Sequence, residues 1–261
     1  MKIFTVASGK GGVGKTTLSA NLGVALASAG QRVVLLDADL GLANLDVLLG
    51  IQTDITVQHV VDGLVRLPDA AVLGPAGVRV VVGGSGIGPM LRLSRRRLEA
   101  FLSQLSELED STDMVIMDAS SGADPRVMTY LKAADEAILV TTPDPCSIVD
   151  CYSTAKVFFR YKKDAVISIV VNRVQDEKQA RCIFETIRST SARFIGHTVH
   201  YLGFIRDDRG AAQIASRRLP FVLADPRLPA SVDVKAIANI LTRGVESGSE
   251  AGARISIGRA A

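Results

Sequence analysis

Within nine residues, Gly9-Lys10-Gly11-Gly12-Val13-Gly14-Lys15-Thr16-Thr17, the chain gathers four glycines, two lysines and two threonines. This is a composition for capturing an anion. Glycines let the backbone curl so that successive N–H groups, those of Gly11, Gly12, Val13, Gly14, Lys15, Thr16 and Thr17, turn inward. Gly9 to Thr16 fits the phosphate-loop pattern G-x-x-x-x-G-K-[ST]. The pattern needs a strand before it and a helix after it. Ile3, Phe4 and Val6 supply the first, and the helix-like stretch 15–29 supplies the second. The helix N-terminus adds its partial positive charge. Lys15 would bridge the β- and γ-phosphates, Thr16 would hold Mg²⁺, and Thr17 would reach the α-phosphate.

Carboxylates stand where such a loop would need them. Asp37 and Asp39 follow the apolar run 33–36, and strand alternation puts both on one side. Two carboxylates beside a triphosphate repel it unless magnesium lies between them or one of them orients water. Asp37 would then sit in the outer magnesium sphere, and Asp39 would orient the attacking water. Strand-end caps or turn acids are the plain alternative. Asp118 ends the apolar run 115–117, where it would hold magnesium through water. Gly122 would bring a backbone N–H to the γ-phosphate, and a loop that touches both can sense hydrolysis. Asn172 ends another apolar strand, and its amide can both donate to and accept from adenine; strand-end asparagines are also common without function.

The loop has a rival reading. Gly9, Gly11 and Gly14 spell G-x-G-x-x-G, and Asp37 follows 23 residues after Gly14. That is the dinucleotide fingerprint, acidic ribose partner included. A dinucleotide loop holds its pyrophosphate mainly by backbone and does not need Gly14-Lys15-Thr16-Thr17, nor an acid at Asp118. The residues favour a nucleoside triphosphate with Mg²⁺ over NAD.

The elements that must position these groups alternate along the chain. Strands are expected at 2–7, 32–36, 78–82, 113–117, 136–141, 165–171 and 199–205. Helices are expected at 15–29, 56–65, 94–108, 124–133, 147–160, 177–190, 209–217 and 230–243. Nearly continuous apolar strands such as Val33-Val34-Leu35-Leu36 suit a parallel sheet covered on both faces. The expectation is a single-domain α/β P-loop fold, a mostly parallel twisted sheet with helices on both faces, over 1–243. The Gly/Ser-rich stretch 244–261 is expected to be a disordered tail. Ligands in such a sheet lie beyond the carboxyl ends of the strands. The loops there hold Lys10–Thr17, Asp37–Asp46, Asp118–Asp124, Thr142–Pro145, Asn172-Arg173 and Arg206–Arg209.

Composition narrows the class. The chain has 261 residues, 48% of them apolar, enough for one large core. A net charge of +3 is too weak by itself to imply nucleic acid. The chain enters a strand at Lys2 with no signal peptide, and no apolar run reaches the ~18 residues of a membrane span. Cys146, Cys151 and Cys182 form no metal-spaced set; they read as small buried hydrophobes in a reducing cytoplasm. His197 and His200 fall in a strand-like run, where their spacing sends them to opposite faces, so they should not share a metal.

The second lysine of the loop, Lys10, resembles the deviant Walker A motif of the MinD/ParA (SIMIBI) ATPases. Asp37-Ala-Asp-Leu-Gly-Leu-Ala-Asn-Leu-Asp46 resembles that family's switch I, and Asp118-Ala-Ser-Ser-Gly122 its switch II. The likeness runs from residue 1 to about 243. It is strongest to the bacterial flagellar-number branch, FlhG (also called FleN or YlxH), on residues 37–50, Gly83-Gly84-Ser85-Gly86 and Ala134–Pro145. The resemblance implies an ATP-dependent switch with slow, Mg²⁺-dependent, partner-stimulated hydrolysis. It implies a homodimer that sandwiches two ATP molecules, with Lys10 reaching the partner's phosphates. Lys10, Lys15 and Asp39 would then be the catalytic set.

The family pattern is not kept everywhere. Ala119 stands where relatives often have Ser or Thr, and Arg206 where they often have proline, which touches switch II and the adenine pocket. On the resemblance, the chain is expected to lack the N-terminal extension that engages the flagellar GTPase FlhF in many FlhG proteins. In the last helix, Val234, Ile237, Ala238 and Leu241 share one face with only Lys235 and Arg243 as cations. That face reads as core-facing, with reversible anchoring at the inner face of the cell membrane as the alternative. The function implied is control of flagellar number or placement through FlhF or C-ring components. A ParA-like partitioning ATPase that binds DNA through Arg92, Arg95–Arg97, Arg206, Arg209 and Arg217-Arg218 is one alternative, and a MinD-like division-site protein is another. Arg95–Arg97 read more simply as a solvated helix face.

Overall fold

A computed structural model of the chain describes residues 1–39, 44–84, 94–122 and 124–248. Along them run β1 (Lys2–Ser8), α1 (Lys15–Ser28), β2 (Val33–Ala38), α2 (Leu45–Leu49), α3 (Val57–Val61), β3 (Val72–Leu73), β4 (Arg79–Val81) and α4 (Arg95–Ser103). Then come β5 (Met114–Ser121), α5 (Pro125–Ala133), β6 (Glu136–Thr141), α6 (Pro145–Tyr161), β7 (Val166–Val174) and α7 (Glu177–Ile195). The described chain closes with β8 (His200–Arg206), α8 (Arg209–Ala215), α9 (Phe221–Ala224) and α10 (Pro229–Gly248).

The strands form one eight-stranded sheet in the order β3-β4-β2-β5-β1-β6-β7-β8. Every pairing is parallel except the short antiparallel contact of β3 with β4. The apolar runs dictate this: β2 and β6 are buried at every residue, which a strand tolerates only when both faces are covered. One face packs against α4, α5, α6 and α7, with Leu98, Phe101, Tyr130, Leu131, Phe158, Phe184 and Ile187 in that core. The other packs against α1, α9 and α10, with Leu18, Leu22, Leu26, Phe221, Val234 and Ile237.

Most expected elements form, with shifted ends. β5 and β7 run on to Ser121 and Val174, so Asp118 and Asn172 lie inside strands rather than just after them. The expected helix 56–65 shortens to α3, and 94–108 becomes α4 followed by a 3₁₀ stretch, Gln104–Ser111. β3, α2 and α9 were not expected; all have five residues or fewer, too short for a periodic pattern. α10 continues to Gly248, five residues beyond the expected domain end at 243; 249–261 lie outside the described residues, as do Leu40–Ala43, Ser85–Leu93 (with Arg92) and Ala123.

Candidate functional site

The β1–α1 turn carries the glycine loop, and its shape is fixed from two sides. Gly14 caps α1 in the left-handed region at φ 90°. A Cβ there would also strike the Asn172 amide. At the other end of the loop, a Cβ on Gly9 would run into the backbone carbonyl of Asp150 in α6. Asn172, at the end of β7, donates from Nδ2 to the Val13 carbonyl at 2.7 Å, while its Oδ1 accepts from the Arg173 N–H at 2.9 Å. The expected adenine reader is thus first a brace for the loop.

Inside the loop, Lys15 is buried and its Nζ lies 3.2 Å from Asp118 Oδ1 and 3.4 Å from Thr16 Oγ1. Ser19, one turn along α1, joins them: its hydroxyl contacts Asp118 Oδ1 at 2.8 Å and the Lys15 carbonyl at 3.1 Å. Asp118 and Asp37 are direct partners in the register of adjacent strands β5 and β2. Parallel neighbours are about 4.8 Å apart, so two carboxylates share one end of the sheet. Asp37 accepts backbone N–H bonds from Asp39 at 3.1 Å, Asn44 at 3.0 Å and Leu45 at 3.2 Å. Burial, with the Asp118 charge adding to it, nevertheless pushes Asp37 up to about 7.

This donor set suits a phosphate-bound magnesium ion. Asp118 Oδ2 is buried with no hydrogen-bond partner, and the hydroxyl and carboxylate oxygens of Thr16, Asp37 and Asp118 are hard donors. Asp39 is half-buried just beyond Asp37. Gly122 adopts φ 91° and its N–H donates to the Ser8 carbonyl at 2.7 Å. That N–H is committed to β1, so it reaches a phosphate only if switch II first leaves Ser8.

Beside the loop, a cleft of about 280 Å³ is lined by Gly14, Thr17, Leu18, Asn172, Arg173, Asp207 and Ala211 among others, a size and place suited to a nucleoside. Arg206 also lines it, but its guanidinium is turned to α10 and bonds Asp233 at 2.9 and 2.8 Å and the Pro229 carbonyl at 3.2 Å. Asp208 caps α8 and accepts from Ala230 at 3.3 Å.

Lys10 stands at the outer surface of the loop, 3.0 Å from Asp144. Asp144 is the N-cap of α6 and accepts from Ser147 N–H at 3.1 Å.

The matching family is the CobQ/CobB/MinD/ParA nucleotide binding domain, whose pattern covers residues 4–221. The chain belongs to this family. It is 36% identical over 238 residues to antiactivator FleN of Pseudomonas aeruginosa, covering 91% of this chain and 85% of that one. It is 30% identical over 250 residues to the flagellum site-determining protein YlxH of Helicobacter pylori, covering 95% and 84%. It also superposes on the septum site-determining protein MinD of Pyrococcus horikoshii in complex with Mg-ADP, with a TM-score of 0.79, 26% identity, and coverage of 97% and 99%.

Ser19, Asp144 and Asp233 were missed in the sequence. Ser19 had a signal, four residues from Lys15 on the same helical stripe; the other two are joined to their partners only by the fold. Two expectations need correction. Cys146 and Cys182 are exposed, and only Cys151 is buried, because the first two fall on outward helical positions. His197 precedes β8 and stacks on Phe159 with ring centroids 4.5 Å apart. Arg95 and Arg97 pair with Glu99 and Asp62, and Arg206 with Asp233, while Arg96, Arg209, Arg217 and Arg218 are exposed. Val234, Ile237, Ala238 and Leu241 are all buried, so that face of α10 serves the core. Among the described residues no helix is long and apolar enough to cross a membrane.

Proposed function

We propose that this chain is a Mg²⁺-dependent ATPase that cycles between an ATP-bound homodimer and a monomer, and that it regulates flagellar number or placement, a reading supported by its likeness to antiactivator FleN and to the flagellum site-determining protein YlxH. The observation that carries the reading is the joining of Lys15, Ser19, Asp118 and Asp37 into one buried charged cluster under the glycine loop. A dinucleotide site has no use for such a cluster.

The residues divide the work. The loop N–H groups from Gly11 to Thr17 and the α1 N-terminus bind the phosphates. Lys15 leaves Asp118 to bridge the β- and γ-phosphates, and Asp118 with Asp37 and Thr16 holds the metal. Bound Mg²⁺ supplies charge neutralisation for the transferring phosphoryl group. Asp39 orients the attacking water. Lys10, exposed on the loop's outer rim, reaches the phosphates of a second protomer. Asp118 to Gly122 report hydrolysis, because release of the γ-phosphate lets Gly122 return to Ser8. The protein works in the cytoplasm and meets its flagellar partner, FlhF or a C-ring component, in the dimeric state.

Size-exclusion chromatography with light scattering tests the switch. Asp39→Ala is expected to bind ATP and remain dimeric, while Lys10→Ala binds ATP and stays monomeric. A normal ATP dimer in Lys10→Ala, or wild-type hydrolysis in Asp39→Ala, removes the corresponding role. Pulldown of FlhF, C-ring protein, duplex DNA and liposomes with ATP and with ADP tests the partner. ATP-dependent capture of DNA but not of flagellar protein would overturn the flagellar reading.

A further inference from the structure

Ser19 is wholly buried in α1, between Leu18 and Ala20. Alanine is the better helix former there and buries no polar atom, so a serine at such a position calls for a reason. Asn21, the next polar residue of the helix, has one. Its Nδ2 donates to the Thr17 carbonyl at 2.9 Å and its Oδ1 accepts from the Val222 N–H at 3.2 Å, which ties α1 to α9. Ser19 points at the site instead. Its hydroxyl lies 3.1 Å from the Lys15 carbonyl and 2.8 Å from Asp118 Oδ1. A hydroxyl has one proton to give, and the carboxylate is both the closer and the charged acceptor.

Asp118 reaches Ser19 because of its place in the strand. Met114 and Ile116 of β5 share a core with Leu18 and Leu22 of α1, while Val115 and Met117 belong to the other core. Alternation therefore sends Asp118 toward α1. Two donors then meet on one oxygen: Ser19 Oγ at 2.8 Å and Lys15 Nζ at 3.2 Å both go to Oδ1. Oδ2 is buried without a hydrogen-bond partner. The carboxylate is held by one oxygen and offered by the other. Lys15 gives up its share of that hold once its ammonium is on phosphate. Ser19 stands one turn further along α1, on a helix anchored in the core by Leu18, Leu22 and Leu26. Without either donor the carboxylate is free to turn about its Cβ–Cγ bond, toward or away from Asp37, its register partner in β2.

We propose that Ser19 is a positioning residue: its hydroxyl holds Asp118 Oδ1 in the empty and in the nucleotide-bound protein, and so keeps Oδ2 turned to the place where a phosphate-bound metal is held. This rests on the magnesium-holding role of Asp118 given above. Removing a group that orients a metal-binding side chain changes metal affinity by about tenfold to a hundredfold.

Calorimetry of ADP binding to the full chain, with Mg²⁺ and with EDTA, gives the gain in affinity that the metal brings. Ser19→Ala is expected to bind ADP in EDTA within about twofold of wild type and to lose about tenfold of the Mg²⁺-dependent gain. Ser19→Cys, close to serine in shape but a weak donor, should lose the same. Asp118→Asn should lose the gain at least as fully, and adding Ser19→Ala to it should take nothing further. An unchanged gain in Ser19→Ala beside a lost one in Asp118→Asn overturns the proposal alone. So does an equal fall in affinity with and without Mg²⁺, which would make Ser19 a packing group of the loop, and so does a Ser19→Cys variant that keeps the gain. If Asp118→Asn itself keeps the gain, the metal-holding role of Asp118 fails, and the proposal falls with it.

Discussion

Lys10 Nζ and the Asp144 carboxylate lie 3.0 Å apart within one chain, and both side chains are substantially exposed, at 40% and 47%. The hydrogen bond to Asp144 raises the Lys10 ammonium above its ordinary range, so the lysine is charged and engaged before any partner arrives. The cation proposed to cross the dimer interface is held back at home.

For the proposed dimer, that contact sets a small cost on association. Asp144→Asn keeps an acceptor for the α6 cap but removes the charge. The ATP-dependent dimer is expected to form a few-fold more tightly in this variant, because exposed ion pairs contribute little. Sedimentation equilibrium with Asp39→Ala as background, to prevent turnover, measures it; a weaker dimer would mean that Asp144 assists the interface.

Lys15→Ala should abolish ATP binding in a calorimeter and should also unsettle the empty protein. Removing one partner of a buried pair leaves Asp118 with only Ser19, at a cost of roughly 3 kcal/mol. Chemical denaturation checks this. Unchanged stability would show that the Ser19 hydroxyl alone satisfies Asp118.

Asp37 gives the nucleotide-free protein a pH dependence. Its folded value of about 7 lies above the ordinary 3.8, so the folded state holds a proton that the unfolded chain has released. Stability from this group is full below about pH 4 and falls as pH rises to about 7, by a few kcal/mol at most. Asp37→Asn should flatten that slope in urea titrations and leave the protein more stable than wild type at pH 8. It should also lose Mg²⁺-dependent nucleotide stabilisation.

Asn172→Ala should weaken ATP binding about fivefold through the loop, since a buried hydrogen bond of this kind is worth about 1 kcal/mol. Because the amide is committed to Val13 and Arg173, the loss should be the same for GTP as for ATP. A loss confined to ATP would return Asn172 to the role of base reader.

The parallel sheet and the phosphate loop were legible because both are written locally. Unbroken apolar runs name buried strands, and Gly9–Thr17 names its own geometry. Lys15, Asp37 and Asp118 converge as read, since strand ends in such a sheet share one rim. What was not legible depends on contacts between distant segments. Lys10 with Asp144 and Arg206 with Asp233 join residues 134 and 27 positions apart, and no periodicity links them. Arg206 shows this best. In the sequence it is a missing proline in the base pocket, and in the fold it ties that pocket's wall to the first turn of α10. Gly122 likewise has a role in the motif and a different hydrogen bond in the folded chain.

The two braces on the glycine loop differ in whether a second mutation can undo the first. An alanine at Gly14 collides with a side chain, so shortening Asn172 would relieve the clash and leave only the left-handed backbone penalty of about 1 kcal/mol. An alanine at Gly9 collides with the main chain of α6, which every residue at position 150 shares. A screen for suppressors should recover partial revertants of Gly14→Ala at position 172, and none of Gly9→Ala at position 150.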